Sequence, residues 1–129
     1  MHIAVTADPY LPVPPRLYGG IERVVDLLVR ELTTRGHTVT LFAHPDSRTA
    51  GELRAYGAPP HQSRAQRLRE LAQVGSGLLT LRGRVDVVHS FGRLAALAPI
   101  LGLRRLPTLH RCWRPSRRPW GLTLMQALR

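Results

Sequence analysis

Two adjacent glycines, Gly19 and Gly20, stand where a proline-rich stretch meets an amphipathic pattern. Residues 8–20 (DPYLPVPPRLYGG) contain four prolines, and apolar residues recur at helical spacing from Ile21 onward. This order predicts a loop followed by a helix, whose N-terminus presents unpaired N–H groups and a partial positive charge. Glycines let an anion approach those groups closely, so the segment predicts a phosphate site. Glycines that serve only a tight turn are the alternative interpretation.

The elements around these glycines predict where such a site would lie. Residues 2–7 (HIAVTA) form a short apolar run that indicates a buried strand, and residues 38–43 (TVTLFA) indicate a second one. Between them, one helical face carries an apolar stripe that Gly36 ends: Ile21, Val24, Val25, Leu28, Val29 and Leu32. The unit is therefore strand, helix, strand. Its glycine pair follows the carboxyl end of the first strand, where open α/β sheets bind ligands.

The remaining pattern continues the alternation of helices and strands. We expect a short helix over residues 47–56 with Ser47 as its N-cap, and a longer helix over residues 63–81. The predicted apolar face of the longer helix consists of Leu68, Leu71, Ala72, Leu78 and Leu79. Strands are expected at residues 85–90 and 107–110, with a helix between them. The fold class is therefore α/β, a Rossmann-like three-layer sandwich around a mostly parallel sheet.

The net charge of +11 comes entirely from arginine, since the chain has no lysine. Five arginines and no acid fall in residues 111–129, which we expect to be a basic tail, either disordered or translated out of frame. The one cysteine, Cys112, excludes a disulfide within the chain. No run of apolar residues is long enough to span a membrane and no signal peptide is recognisable, so we expect a cytoplasmic protein.

Several motifs occur together in the first 110 residues: YGGIER at 18–23, RGH at 35–37, VDVVHS at 85–90 and PTLH at 107–110. In this combination and spacing the chain resembles glycosyltransferase family 4, and the resemblance does not extend past residue 110. It implies the GT-B fold, in which two Rossmann-like domains face each other across a cleft. Residues 1–110 would then be the N-terminal domain, which mainly binds the acceptor.

The resemblance also implies roles for particular residues. Gly19, Gly20 and Ile21 would contact the diphosphate of a nucleotide-sugar donor through backbone amides and stabilise its growing charge. His110 would be the active-site histidine that polarises the transferred sugar, and His89 would be a second contact. A structural histidine is the alternative at both positions, at His89 one bonded to nearby backbone. No metal or cofactor is expected, because the nucleotide sugar is a co-substrate and helix N-termini and basic side chains stabilise the phosphate.

The family's C-terminal domain, with its paired glutamates in an E-x7-E motif, has no counterpart in the 129 residues. We therefore expect a truncated or split form with little activity of its own. Its partners would be a UDP-, GDP- or ADP-linked sugar, a sugar, lipid or polyol acceptor, and a separate donor-binding domain. Peripheral contact of the protein with a membrane is a further alternative.

A nucleic-acid-binding module that uses the arginines of residues 111–129 is the principal alternative. If charge alone drives the binding, the affinity of these residues for nucleic acid would fall steeply as the salt concentration rises. The sequence has no helix-turn-helix, RNP or zinc-finger pattern, so no specific nucleic-acid partner is expected. A non-catalytic remnant is the third hypothesis.

Overall fold

A parallel sheet positions every candidate residue named above. The computed structural model describes residues 1–57, 63–92, 97–101 and 108–110. The strands are β1 (His2–Thr6), β2 (Thr38–Ala43), β3 (Glu52–Ala55), β4 (Val87–Ser90) and β5 (Thr108–His110). The helices are α1 (Gly20–Thr34), α2 (Arg64–Leu81) and α3 (Ala98–Leu101). Within these residues no helix is both long and apolar enough to cross a bilayer.

The strands follow the order β3-β2-β1-β4-β5, and all neighbouring pairs are parallel. The chain builds the sheet outward from β1 on one side through β2 and β3, and then returns to the other side of β1 with β4. Parallel neighbours need crossover connections. Helix α1 connects β1 to β2 and helix α2 connects β3 to β4, whereas residues 44–51 connect β2 to β3 without a helix. This arrangement confirms the α/β class and the mostly parallel sheet.

Alternate residues of each strand enter two separate cores, one on each face of the sheet. On β1, Ile3 and Val5 pack with Val25 and Val29 of α1. Their neighbour Ala4 faces the opposite core, which contains buried residues of α2 and α3. Because successive side chains of a strand point to opposite faces, the sheet is a middle layer between helices.

The apolar stripe of α1 is only partly buried. Val25 and Val29 are inaccessible to solvent and Leu28 and Leu32 are partly buried, as the pattern predicts. The first members of the stripe differ, since Ile21 is 37% and Val24 is 45% exposed. The buried residue of the first turn is Glu22 instead, at 8% exposure, so the apolar stripe is not buried over its first turn.

The predicted buried face of α2 is also partly wrong. Leu78 is buried, but Leu68 is 66% exposed, and the face that meets the sheet contains Val74 and Leu81. Gly77 explains this orientation, because a Cβ there would lie 2.6 Å from the ring of Phe42. The glycine that weakens the helical pattern makes room for an aromatic side chain of β2.

The segment 47–56 forms a strand instead of the expected helix. Its residues 52–55 pair in parallel with β2 as β3. The Ser47 hydroxyl accepts a hydrogen bond from the amide of Val13 (2.9 Å) and so holds the loop after β1. Pairing with an existing strand outweighs the local helical preference of so short a segment.

Candidate functional site

The candidate site lies at the carboxyl end of the sheet, beside β1 and β4. The chain leaves these neighbouring strands toward opposite sides of the sheet, since β1 leads to α1 and β2 while β4 leads to α3 and β5. Such a switch in strand order opens a crevice where doubly wound sheets bind ligands. The loop of residues 7–19 forms one wall of this crevice.

Hydrogen bonds from neighbouring elements hold the loop of residues 7–19 in place. The amide of Ala7 donates to the carbonyl of Phe42 (2.9 Å), and the Tyr56 hydroxyl donates to the carbonyl of Ala7. Farther along, Val13 is fully buried, and its carbonyl accepts a hydrogen bond from the amide of Arg48 (2.7 Å). The loop thus approaches α1 along a fixed path in spite of its length.

Gly19 is the N-cap of α1, with φ 148° and ψ 81°, and no side chain caps the first turn. On the inner side, the Glu22 carboxylate and Pro15 pack so closely on Gly19 that a Cβ there would lie 2.7 and 2.8 Å from them. On the outer side, a Cβ on Gly20 would meet nothing within 4 Å. The first turn therefore has no side-chain cap and has open space beside Gly20, two features that an anion site requires.

The carboxylate of Glu22 also lies in the first turn of α1 and is 8% exposed. A negative charge at this position stabilises the helix dipole and opposes a second anion at the same amides. An anionic ligand would therefore bind at the outer side, away from Glu22.

His89 and His110 are on neighbouring strands at the carboxyl edge. The His89 ring stacks on Phe91, with 4.4 Å between ring centroids and an interplanar angle of 23°. Its packing partner is therefore an aromatic ring, and its proposed contact with a donor stays a prediction. The backbone of His110 ends β5 in register with Ser90. Its side chain lies outside the described residues, as do residues 111–129.

A buried pair of hydroxyls joins β1 to β4 at the base of the crevice. Thr6 and Ser90 are paired in the sheet, and the Thr6 hydroxyl donates to the Ser90 hydroxyl over 2.8 Å. The two side chains are 1% and 0% exposed. This pair has no local signal in the sequence, because 84 residues separate its members.

We expect Ser90→Ala to destabilise the protein by about 1–3 kcal/mol, because it leaves the buried Thr6 hydroxyl without its acceptor. Urea denaturation followed by circular dichroism measures the change. Replacing both residues (Thr6→Val with Ser90→Ala) should restore most of the stability, since no unmade hydrogen bond is left. Ser76→Ala on the exposed side of α2 is the control. An unchanged stability of Ser90→Ala would contradict the pairing.

A small pocket beneath the loop of residues 7–19 was not predicted from the sequence. Asp8 and Tyr10 from that loop, Tyr56 after β3, and Arg67 and Glu70 of α2 line it. One signal pointed to it. Glu70 is the only acid in α2 and precedes Val74, Leu78 and Leu81 at helical spacing, so it lies on the buried face.

The sheet order, the switch in strand order beside β1 and the uncapped helix after β1 define a Rossmann-like α/β unit. A sequence profile of Glycosyltransferase Family 4 matches residues 18–129. The chain belongs to this family. The matched range includes residues 111–129, so the expected end of the resemblance at residue 110 is not where the match ends.

Two solved structures are similar to the chain. MurG of Acinetobacter baumannii matches with a TM-score of 0.54 and 16% identity over 84% of this chain. AviGT4, a glycosyltransferase involved in avilamycin A biosynthesis, matches with a TM-score of 0.49 and 26% identity over 84% of this chain. The chain spans about a third of either structure, 34% and 32%. None of the curated proteins compared with the chain matches it.

Proposed function

We propose that these residues form the acceptor-side half of a retaining glycosyltransferase that uses a nucleotide sugar. One observation carries the proposal: the N-terminus of α1 is uncapped and open on the side of Gly20, next to the switch point of a family 4 chain. Amides at such a helix end bind phosphate without any side chain. They would stabilise the charge that grows on the diphosphate as it leaves the sugar.

The acceptor binds in the crevice between the loop of residues 7–19 and the end of β4 in this proposal. His110 is the last residue of β5, in register with Ser90, and we propose that it polarises the sugar at the reacting carbon. His89, on the adjoining strand β4, would make a second contact with the substrate. Metal is not needed, because the helix end supplies the positive potential at the phosphate.

The other half of the enzyme holds the nucleotide sugar. The chain spans about a third of MurG and AviGT4, 34% and 32% of their lengths, so one Rossmann-like unit accounts for it. Transfer depends on fixing two substrates and stabilising charge from both sides of a cleft. We therefore expect weak transfer by the 129 residues alone, and faster transfer when a donor-binding half is supplied.

Gly20→Ala tests the phosphate contact directly. The variant should keep its stability, because the new Cβ meets no atom within 4 Å. The methyl group would occupy the space through which a phosphate reaches the amides. We expect weaker binding of UDP-glucose, GDP-mannose and ADP-glucose, by about tenfold for the loss of one charged hydrogen bond. Ligand-observed NMR measures these affinities, and Gly83→Ala, which also meets nothing within 4 Å, is the matched control.

Equal affinities of Gly20→Ala and the unaltered chain would contradict the phosphate contact. DNA titrated over a salt series is the second arm of the experiment. Binding of DNA that falls steeply with salt, without binding of any nucleotide sugar, would favour the basic-module hypothesis instead.

A further inference from the structure

Glu70 is a buried acid with an unmade hydrogen bond. Glu70 is 6% exposed, and its Oε1 has no hydrogen-bond partner among the residues that the structure describes. Buried polar atoms are nearly always paired, because a carboxylate in the interior otherwise loses its hydration without replacement. An apolar residue at this position of α2 would avoid that cost. A carboxylate at this position therefore indicates a ligand that would supply the missing hydrogen bond to Glu70.

The pocket that Glu70 lines lies on the ligand side of the sheet. Asp8 comes two residues after β1, and Tyr56 directly follows β3, so both belong to the carboxyl edge. The walls are tightly packed, since a Cβ on Gly57 would lie 2.6 Å from Pro9. The Tyr56 hydroxyl also anchors the carbonyl of Ala7. The pocket is therefore formed before any ligand binds.

The pocket leaves about 20 Å³ for water-sized groups. This volume admits one hydroxyl group or one water molecule but no complete sugar. Tyr10, at 38% exposure, extends the pocket toward solvent with an aromatic side chain. A ligand would therefore insert a single functional group here and keep its ring outside.

Carboxylates accept hydrogen bonds and do not donate them, so Glu70 and Asp8 select a group that donates. Arg67 lines the same pocket, and its positive charge opposes a second cation there. We propose that the carboxylate of Glu70 accepts a hydrogen bond from one hydroxyl of a polyhydroxylated acceptor, a sugar or a cyclitol, at this pocket beside Asp8. This subsite rests on the proposed function, because it places the acceptor on this half of the enzyme.

Two substitutions of Glu70 in the full chain test the subsite. Glu70→Leu replaces the unpaired carboxylate with an apolar side chain, and Glu70→Gln keeps the size of the residue. The probes are myo-inositol, glucose and glucosamine, followed by ligand-observed NMR. At least one of the two neutral polyols should bind the unaltered chain. Either variant should weaken its binding by about ten- to a hundredfold, since a hydrogen bond to a charged group is lost.

The midpoint of thermal unfolding separates a ligand site from a structural role. We expect Glu70→Leu to unfold at the same temperature as the unaltered chain or at a higher one, because no buried carboxylate is left unpaired. Glu31→Gln on the exposed side of α1 is the control. It should leave polyol binding unchanged and lower the unfolding midpoint only slightly, because it weakens an exposed ion pair with Arg35. A variant that unfolds earlier and binds polyols normally would overturn the proposal.

The remaining outcomes are also decisive. Absence of polyol binding by the unaltered chain would overturn the subsite, and binding of glucosamine alone would assign the pocket to an ammonium group instead. The nucleotide-sugar titration on the same samples keeps the two proposals apart. If Gly20→Ala weakens UDP-glucose binding while the Glu70 variants bind polyols as tightly as the unaltered chain, only the subsite proposal is contradicted. If the nucleotide sugars do not bind either, the proposed function fails with it.

Discussion

Gly19→Ala is expected to lower the free energy of unfolding by roughly 2–4 kcal/mol, from backbone strain and overpacking together. The φ of Gly19 is 148°, a region that residues with a Cβ rarely adopt. The added methyl would also lie 2.7 Å from the Glu22 carboxylate and 2.8 Å from Pro15. Both neighbours are buried and have little room to move. Urea denaturation followed by far-ultraviolet circular dichroism measures the loss.

Gly20→Ala is the matched control for this prediction, since it makes the same chemical change one residue later. Its methyl would meet nothing within 4 Å, so we expect its stability to change by no more than about 0.5 kcal/mol. The two glycines then separate into one that shapes the loop and one that keeps the anion path open. Equal losses of stability in both variants would contradict this division.

The first half of the fold was predictable because its signals are local. Residues 8–20 break regular structure, and Gly36 ends α1 with a φ of 84° that glycine adopts readily. The strand β3 was not predictable, because its backbone is satisfied only by pairing with β2. A segment of four residues has too little periodicity to choose between helix and strand, so the rest of the sheet decides.

The candidate site was predictable only where one continuous segment builds it. Gly19 and Gly20 follow a strand and begin a helix, and that order alone indicates an anion site. The pocket around Glu70 combines a loop, the end of β3 and α2, which meet only once the strand order is known. Its sequence signal was an acid at helical spacing from buried apolar residues, and that signal becomes informative when the buried face of α2 is fixed.

Leu78→Ala is expected to lower the free energy of unfolding by about 2–5 kcal/mol, the usual effect of removing a fully buried leucine. Leu78 is 1% exposed and belongs to the core cluster that also contains Ala4, Val74 and Val88. Removing its side chain leaves a cavity between α2 and the sheet. The neighbours cannot fill this cavity without moving a strand. Urea denaturation of the full chain measures this change also.

Leu68→Ala is the matched control on the same helix, because Leu68 is 66% exposed. We expect its stability to change by no more than about 0.5 kcal/mol. The comparison also bears on the pocket, since Glu70, Val74 and Leu78 succeed one another at intervals of four residues and so share one face of α2. If Leu68→Ala were the more costly substitution, α2 would be rotated about its axis. Glu70 would then face solvent, and the pocket that it lines could not form.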